Sequence, residues 1–210
     1  MGTATTPRPR RRGYGAPVVR PFTRQRGAER GGDVGTPDPV TDPQGYQRAL
    51  LSYLGGDDPA VAQAATPAAL REIVAEAGEA LRTRPAPGEW SSLEAIAHIV
   101  HAEIVYSARY RWIIAHDGPP LVPYDQDPWV DRLHANEDDL DVLLTVFDGL
   151  RRSNLDLWAR ASDEERARVG MHDERGPESF DLSFRLIAGH DRLHGEQARR
   201  ALESVQSPVA

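Results

Sequence analysis

Apolar residues from position 41 onward recur every three to four positions, which is the period of an amphipathic helix. After a short segment near Tyr46 to Leu54, the first long helix is predicted to take Thr66 as its N-cap and Pro67 as its first residue. Its apolar stripe consists of Leu70, Ile73, Val74, Ala77 and Leu81. The Pro and Gly residues at positions 84–88 end the pattern.

Three further segments show the same period. The second helix is predicted to begin at Ser91, which forms a capping-box pattern with Glu94, and to run to about His116. Apolar side chains cover most of its circumference, so we expect it to be largely buried. They are Ile96, Ile99, Val100, Ile104, Val105, Trp112 and Ile113. The third helix is expected from about Asn136 to Ala161 and the fourth from about Phe180 to Glu203.

Four amphipathic helices without any run of alternating β-branched residues predict an all-α protein without strands, an antiparallel four-helix bundle. One connection, from Asp117 to about His134, is longer than the ~12–15 residues usual for a loop without structure of its own. It is rich in proline and acidic residues. Long connections of this kind are typically functional or mobile.

Charge divides the chain near residue 40. Residues 1–40 contain eight arginines against Glu29, Asp33 and Asp38, and 13 of these 40 positions are Gly or Pro, whereas residues 41–210 carry a net charge of −12. This composition predicts a disordered basic tail (1–40) before one folded domain (41–210). The arginine cluster at positions 8–12 lacks interleaved aromatic residues, so we interpret it as a solvated tail rather than a nucleic-acid site.

The chain has no cysteine, which excludes a disulfide-stapled scaffold and thiolate-based metal sites or nucleophiles. No run of residues reaches the ~18 apolar positions needed to span a membrane, and residues 1–40 have no apolar core of the signal-peptide type. We therefore expect a cytoplasmic protein that acts without a membrane.

The fourth predicted helix carries His190 and His194, which are four residues apart and so project from one face. That face is otherwise apolar, which points the pair inward, where unsatisfied ring nitrogens are costly. A metal ion or ordered water would satisfy them, and on the residues alone a metal site and hydrogen-bonded core histidines are equally compatible. A third ligand could come from the second helix, either His98 or His101.

Three imidazole ligands without a thiolate are typical of catalytic metal sites, because coordination positions remain open for water or substrate. Nickel, zinc and iron(II) all accept imidazole, so the ligand set indicates a divalent ion without identifying it. Glu103 and Asp127 are the candidate bases or orienting carboxylates, with a solvated charge or a local cap as the alternative for each.

Four segments together resemble the DinB/YfiT-like superfamily of metal-binding four-helix bundles, over about Ala65 to Leu202. They are Gly88-Glu-Trp-Ser-Ser-Leu-Glu-Ala-Ile-Ala-His98, Tyr124-Asp-Gln-Asp-Pro-Trp129, Gly170-Met-His-Asp-Glu-Arg-Gly176 and Ile187-Ala-Gly-His-Asp-Arg-Leu-His194. The resemblance implies a metal held by His98, His190 and His194, because His98 occupies the family's histidine position eight residues after the tryptophan.

The same resemblance implies a hydrolase, or a transferase that uses a low-molecular-weight thiol, acting on a small-molecule substrate. The mycothiol-dependent isomerases of the family tend to have a Glu-x-x-x-His pair, whereas His190 stands first here, which argues against that particular reaction. The alternative is a metal-binding or structural bundle without turnover, for which a homodimer is one expected assembly.

Overall fold

The structure is a computed structural model that describes residues 36–38 and 41–207, so the predicted tail lies almost entirely outside the described residues. Its helices are α1 (Pro43–Leu54), α2 (Pro59–Ala77), α3 (Ser92–Ala115), α4 (Gln126–Arg132), α5 (Leu140–Arg160), α6 (Asp163–Ala167) and α7 (Phe180–Gln206). Its strands are β1 (Pro120–Leu121), β2 (Val169–His172) and β3 (Gly176–Ser179). None of these helices has the length and apolarity needed to cross a membrane.

The four long helices form a closed ring in which α2 packs against α7, α7 against α3, α3 against α5, and α5 against α2. The predicted all-α four-helix bundle is confirmed. Although α2 and α3 are consecutive long helices, they make little contact with each other, so residues 78–91 connect helices that lie across the bundle. Helix α1 packs mainly against α7.

The predicted start of the first long helix is wrong. Helix α2 begins at Pro59, and the carboxylate of Asp58 caps its first-turn N–H groups. The same pairing of a capping residue with proline occurs at Asp58–Pro59 and again at Thr66–Pro67, and the helix begins at the earlier one. Pro67 therefore lies inside α2, and the Thr66 hydroxyl donates to Asp191 at 2.8 Å instead of capping.

Helix α3 is the central element of the core. The predicted capping box at Ser91 and Glu94 is present, and 17 of the 24 residues of α3 are buried. Two of the expected core residues, Ile104 and Trp112, are each 42% exposed. The predicted third helix begins at Leu140 rather than Asn136, because the Asp139 side chain caps the N–H of the first turn.

A small three-stranded sheet corrects the expectation that the chain has no strands. Strand β1 pairs in parallel with β2, and β2 pairs antiparallel with β3. The strands are two to four residues long and include Gly170 and Pro177, so they show no alternation of apolar residues. The pairing attaches the connection after α3 to the β2–β3 hairpin.

Helix α1 approaches α7 unusually closely at Gly189. A Cβ atom at this position would lie 1.9 Å from the carbonyl oxygen of Leu50, so only glycine permits the observed distance between the two backbones. The contact falls one residue before His190 in the chain.

Candidate metal centre

Three histidines converge in the core between α3 and α7. His98, His190 and His194 are 1%, 6% and 6% exposed, respectively. The Nε2 atoms of His98 and His190 lie 2.9 Å apart, and one ring nitrogen from each of the three residues lies within 4.8 Å of the others. Nitrogens that share one ion at ~2.0–2.1 Å lie about 3–4 Å apart, so the three rings are close to a coordinating arrangement.

Burial keeps these imidazoles neutral. It lowers the pKa of His98 well below the usual value, and the neighbouring histidines lower it further. Burial also lowers the pKa of His190, with His194 and Arg151 adding to the effect. Neutral imidazole is the form that binds a metal ion, so no proton has to be displaced from these two rings at pH 7.

The hydrogen bonds of the three rings fit a shared cation. The Nδ1 atom of His194 lies 2.7 Å from Oε1 of Gln197, an arrangement in which Nδ1 carries the proton and Nε2 keeps its lone pair. The Nδ1 atoms of His98 and His190 have no hydrogen-bond partner among the described residues. Two Nε2 atoms at 2.9 Å can share only one proton, whereas a cation would accept both lone pairs. The donor set therefore fits a divalent metal ion.

Of the two α3 candidates, His98 and not His101 lies beside the pair. His101 packs edge-on against Trp129, with ring centroids 5.5 Å apart. Trp90, eight positions before His98, packs against the His98 ring at 5.2 Å and the His194 ring at 6.3 Å. The Trp90 side chain is buried and so shields one side of the cluster from water.

Glu103 lies in a buried ion-pair network one and a half helical turns beyond His98. Its carboxylate accepts two hydrogen bonds from Arg151, at 3.1 and 2.9 Å, and one from Asn154 at 2.8 Å. Arg151 also donates to Asp191 at 2.6 Å. Burial alone would lower the pKa of Arg151, but Asp191 and Glu103 outweigh burial and raise it, so the guanidinium stays charged.

Asp127 lies in the first turn of α4, within the long connection, where its backbone N–H bonds to the Asp125 side chain at 3.3 Å. Aromatic residues of the same connection reach the histidines. The Tyr124 ring centroid is 6.4 Å from that of His98 and 5.0 Å from that of Trp129. Through Tyr124 the connection therefore lies beside the three histidines.

Several residues near the histidines were not predicted from the sequence. The Tyr46 hydroxyl of α1 lies 3.5 Å from Nε2 of His194. Tyr106 and Arg109 lie further along α3. Arg175, in the turn between β2 and β3, donates to the Tyr106 hydroxyl at 3.3 Å, and the Arg109 guanidinium lies 4.7 Å from the Tyr106 ring centroid. A helical spacing of eleven brings Arg109 to the same face as His98, a signal that could have identified it.

Comparisons with known proteins agree with this architecture. The sequence pattern of the DinB superfamily matches residues 62–198. A search of curated proteins finds no match. Among solved structures, the fold is similar to that of YfiT from Bacillus subtilis, described as a probable metal-dependent hydrolase with an unusual four-helix bundle topology. That similarity covers 74% of this chain and 85% of YfiT, with 16% identity and a TM-score of 0.62.

Proposed function

The chain belongs to the DinB superfamily, and we propose that it is a metal-dependent enzyme whose divalent ion is held by His98, His190 and His194. The reaction is attack of water, or of a low-molecular-weight thiol, on a small electrophilic substrate. The observation that carries this proposal is the convergence of three buried imidazole nitrogens within 4.8 Å, without a carboxylate or thiolate among them.

A divalent ion with three protein ligands supplies a Lewis acid that makes a bound nucleophile more acidic at neutral pH. Two neighbouring side chains support this arrangement. Gln197 accepts from Nδ1 of His194, which leaves the Nε2 atom of that ring unprotonated, and the buried Trp90 excludes water from one side. Nickel, zinc and iron(II) are the candidate ions, since all three accept imidazole.

We assign different roles to the two candidate carboxylates. Asp127 belongs to the connection that lies against the histidines and is the candidate proton acceptor or orienting group. Glu103 is fully hydrogen-bonded to Arg151 and Asn154, so we assign it a positioning role through the charged network that borders His190.

Hydrolysis is the first reaction to test, because the similar structure YfiT is described as a probable metal-dependent hydrolase. A metal-binding bundle without turnover is the second candidate, and the observation that favours it is the exposure of only 1–6% at the three histidines. A cytoplasmic location remains part of the proposal, consistent with a chain without cysteine.

The test is metal analysis of the purified full-length protein, followed by turnover assays with esters, amides and epoxides, in water and with added thiols. Enzymatic function predicts about one divalent ion per chain and turnover that disappears with a chelator and returns with the ion. Metal-loaded protein that is inert toward every substrate class would instead support the second candidate.

A further inference from the structure

Arg109 is a buried cation without an acidic partner among the described residues. Its side chain is 1% exposed. One terminal nitrogen, Nη2, donates to the carbonyl oxygen of Val122 at 2.6 Å, and Nε has no hydrogen-bond partner in the described chain. An isolated charge in the interior costs several kcal/mol, so such a group is normally paired.

The buried Arg151 and the partly buried Arg175 follow that rule. Arg151 pairs with both Glu103 and Asp191, and Arg175 pairs with Glu178 at 2.7 Å. Arg109 differs from them in having only neutral neighbours within hydrogen-bonding distance. The positive charge of Arg109 is therefore not compensated by an acidic group among the described residues.

His172 places a second donor beside Arg109. In the hairpin turn, Nδ1 of His172 accepts the backbone N–H groups of Glu174 and Arg175, at 3.2 and 3.4 Å. Burial, with the charges of Arg175 and Arg109, lowers the pKa of His172 to about 3, so the ring is neutral and carries one proton. That proton must sit on Nε2, because Nδ1 is an acceptor.

The Nε2 atom of His172 lies 3.4 Å from Nη2 of Arg109. Both atoms carry N–H donors in this tautomer, so neither can accept a hydrogen bond from the other. An oxygen that carries negative charge would accept from both and would neutralise the arginine as well.

The position of this pair relative to the histidines suits one elongated small molecule. Eleven residues of helix separate His98 and Arg109 on the same face of α3, a rise of about 16 Å that the long arginine side chain shortens to on the order of 10 Å. Val122, which accepts from Arg109, lies two residues before Tyr124, whose ring packs toward His98. Tyr106 lies between the two ends, under the Arg109 guanidinium.

We propose that Arg109 and His172 bind the oxyanion of a small substrate, a carboxylate or a phosphate, whose reacting end lies at the three histidines. This inference deepens the proposed function and rests on it. It narrows the substrate or the thiol to an anionic compound whose charged group and reacting atom are separated by several bonds.

The test uses the full-length protein, both as purified and after metal removal, with acetate and inorganic phosphate as probes and chloride as the ionic-strength control. Titration is followed by calorimetry and by the ¹⁵N and ¹H signals of His172 Nε2. We expect saturable binding of acetate or phosphate that shifts the Nε2 signals in the metal-free protein. Whichever of acetate and phosphate binds more tightly identifies the substrate oxyanion as a carboxylate or a phosphate.

Arg109→Met should weaken binding at least tenfold, and Arg109→Lys should retain part of it. Arg152→Met, which removes an exposed arginine from α5, is the control and should bind like the wild type. If Arg109→Met does not fold, the signals of His172 in the wild type still decide the question.

The proposal is overturned if neither probe moves the His172 signals, or if binding is equal in wild type and Arg109→Met. Arg109 would then serve only to tie Val122 to α3, and its loss would lower the melting temperature alone. Metal content measured in the same samples separates the proposed oxyanion site from the proposed metal-dependent function. Metal-dependent turnover without anion binding contradicts this inference only, whereas Arg109-dependent anion binding in protein that never takes up metal supports the anion site and contradicts the proposed function.

Discussion

The Nε2 atoms of His98 and His190 lie 2.9 Å apart, although the two residues are separated by 92 positions in the chain. Such an approach of two ring nitrogens needs a proton or a cation between them. The burial of both rings lowers their pKa values, so a shared cation competes with few protons at neutral pH.

His190→Ala should abolish metal binding, because it removes one of three ligands and the two that remain come from different helices. In the wild type, metal at a hundred times its dissociation constant should stabilise the fold by about 2.7 kcal/mol, which raises the melting temperature. The variant should show no such rise. His101→Ala is the matched control, since His101 packs on Trp129 and should not alter metal content. Equal metal content in His190→Ala and wild type would contradict the assignment.

Asp127→Asn should retain metal and lower turnover by about 10²–10⁴, the usual contribution of a positioned proton acceptor. Metal analysis and steady-state rates measure the two effects separately. Asp131→Asn changes an exposed carboxylate of the same short helix and should leave the rate unchanged. Similar rates for Asp127→Asn and wild type would remove Asp127 from the mechanism.

Glu103→Gln should lower the free energy of unfolding by on the order of 3 kcal/mol, because it leaves part of the buried Arg151 charge uncompensated. Asp148→Asn is the control: it breaks the exposed ion pair with Arg71, and pairs of that kind contribute about 0–1 kcal/mol. Urea unfolding measures the change in the free energy of unfolding for both variants. A loss of turnover in Glu103→Gln without a loss of stability would show that Glu103 acts in the reaction rather than in positioning.

Stability should fall with decreasing pH because of His172. Its pKa in the folded protein is about 3, below the ordinary value of 6.5, so the unfolded chain binds more protons between these values. The contribution of His172 is therefore complete above pH 6.5 and declines below it, by up to about 1.4 kcal/mol per pH unit. When unfolding is measured at pH 7, 6 and 5, the free energy of unfolding should fall less steeply with decreasing pH in His172→Gln than in wild type. The exposed His116 provides the control substitution, His116→Gln.

Gly189→Ala should destabilise the protein by at least about 1–3 kcal/mol, because the new methyl group would meet the backbone carbonyl of Leu50. Inside a helix, alanine is ordinarily more stabilising than glycine by about 0.5–1 kcal/mol. A decrease in the free energy of unfolding in Gly189→Ala would therefore indicate the close contact with Leu50. Gly195→Ala is in the same helix, has no atom within 4 Å of the added Cβ, and should stabilise. Equal effects at the two sites would contradict the close contact of α1 and α7.

The four long helices and the His190–His194 pair were predictable because their signals are local. Apolar spacing of three and four identified the bundle helices, and the i, i+4 spacing of His190 and His194 placed both rings on one buried face. From the residues alone His98 was the candidate and His101 the competing choice, and the family resemblance favoured His98. The close approach of His98 to the pair is a property of how α3 packs on α7.

The unpredicted features depend on contacts between distant segments. Arginine is usually a surface residue, so residue type does not distinguish the buried Arg109 and Arg151 from the exposed Arg111 and Arg152. For Arg109 the one sequence signal is its helical spacing from His98. The sheet is held by the pairing of a two-residue strand with the hairpin, and strands this short have no readable period. Thr66 was predicted to be a cap because its hydroxyl and the following proline fit that role, whereas its actual partner, Asp191, lies 125 residues away.

Because α1 packs closely on Gly189, a residue from outside the segment that matches the family pattern reaches the three histidines. Helix α1 ends at Leu54, before the matched segment 62–198 begins, and yet its Tyr46 hydroxyl lies beside His194. A side chain at position 189 would force α1 away from α7, because its Cβ would meet the Leu50 carbonyl. A change in α1, which carries none of the three histidines, would therefore alter the surroundings of His194 through Tyr46.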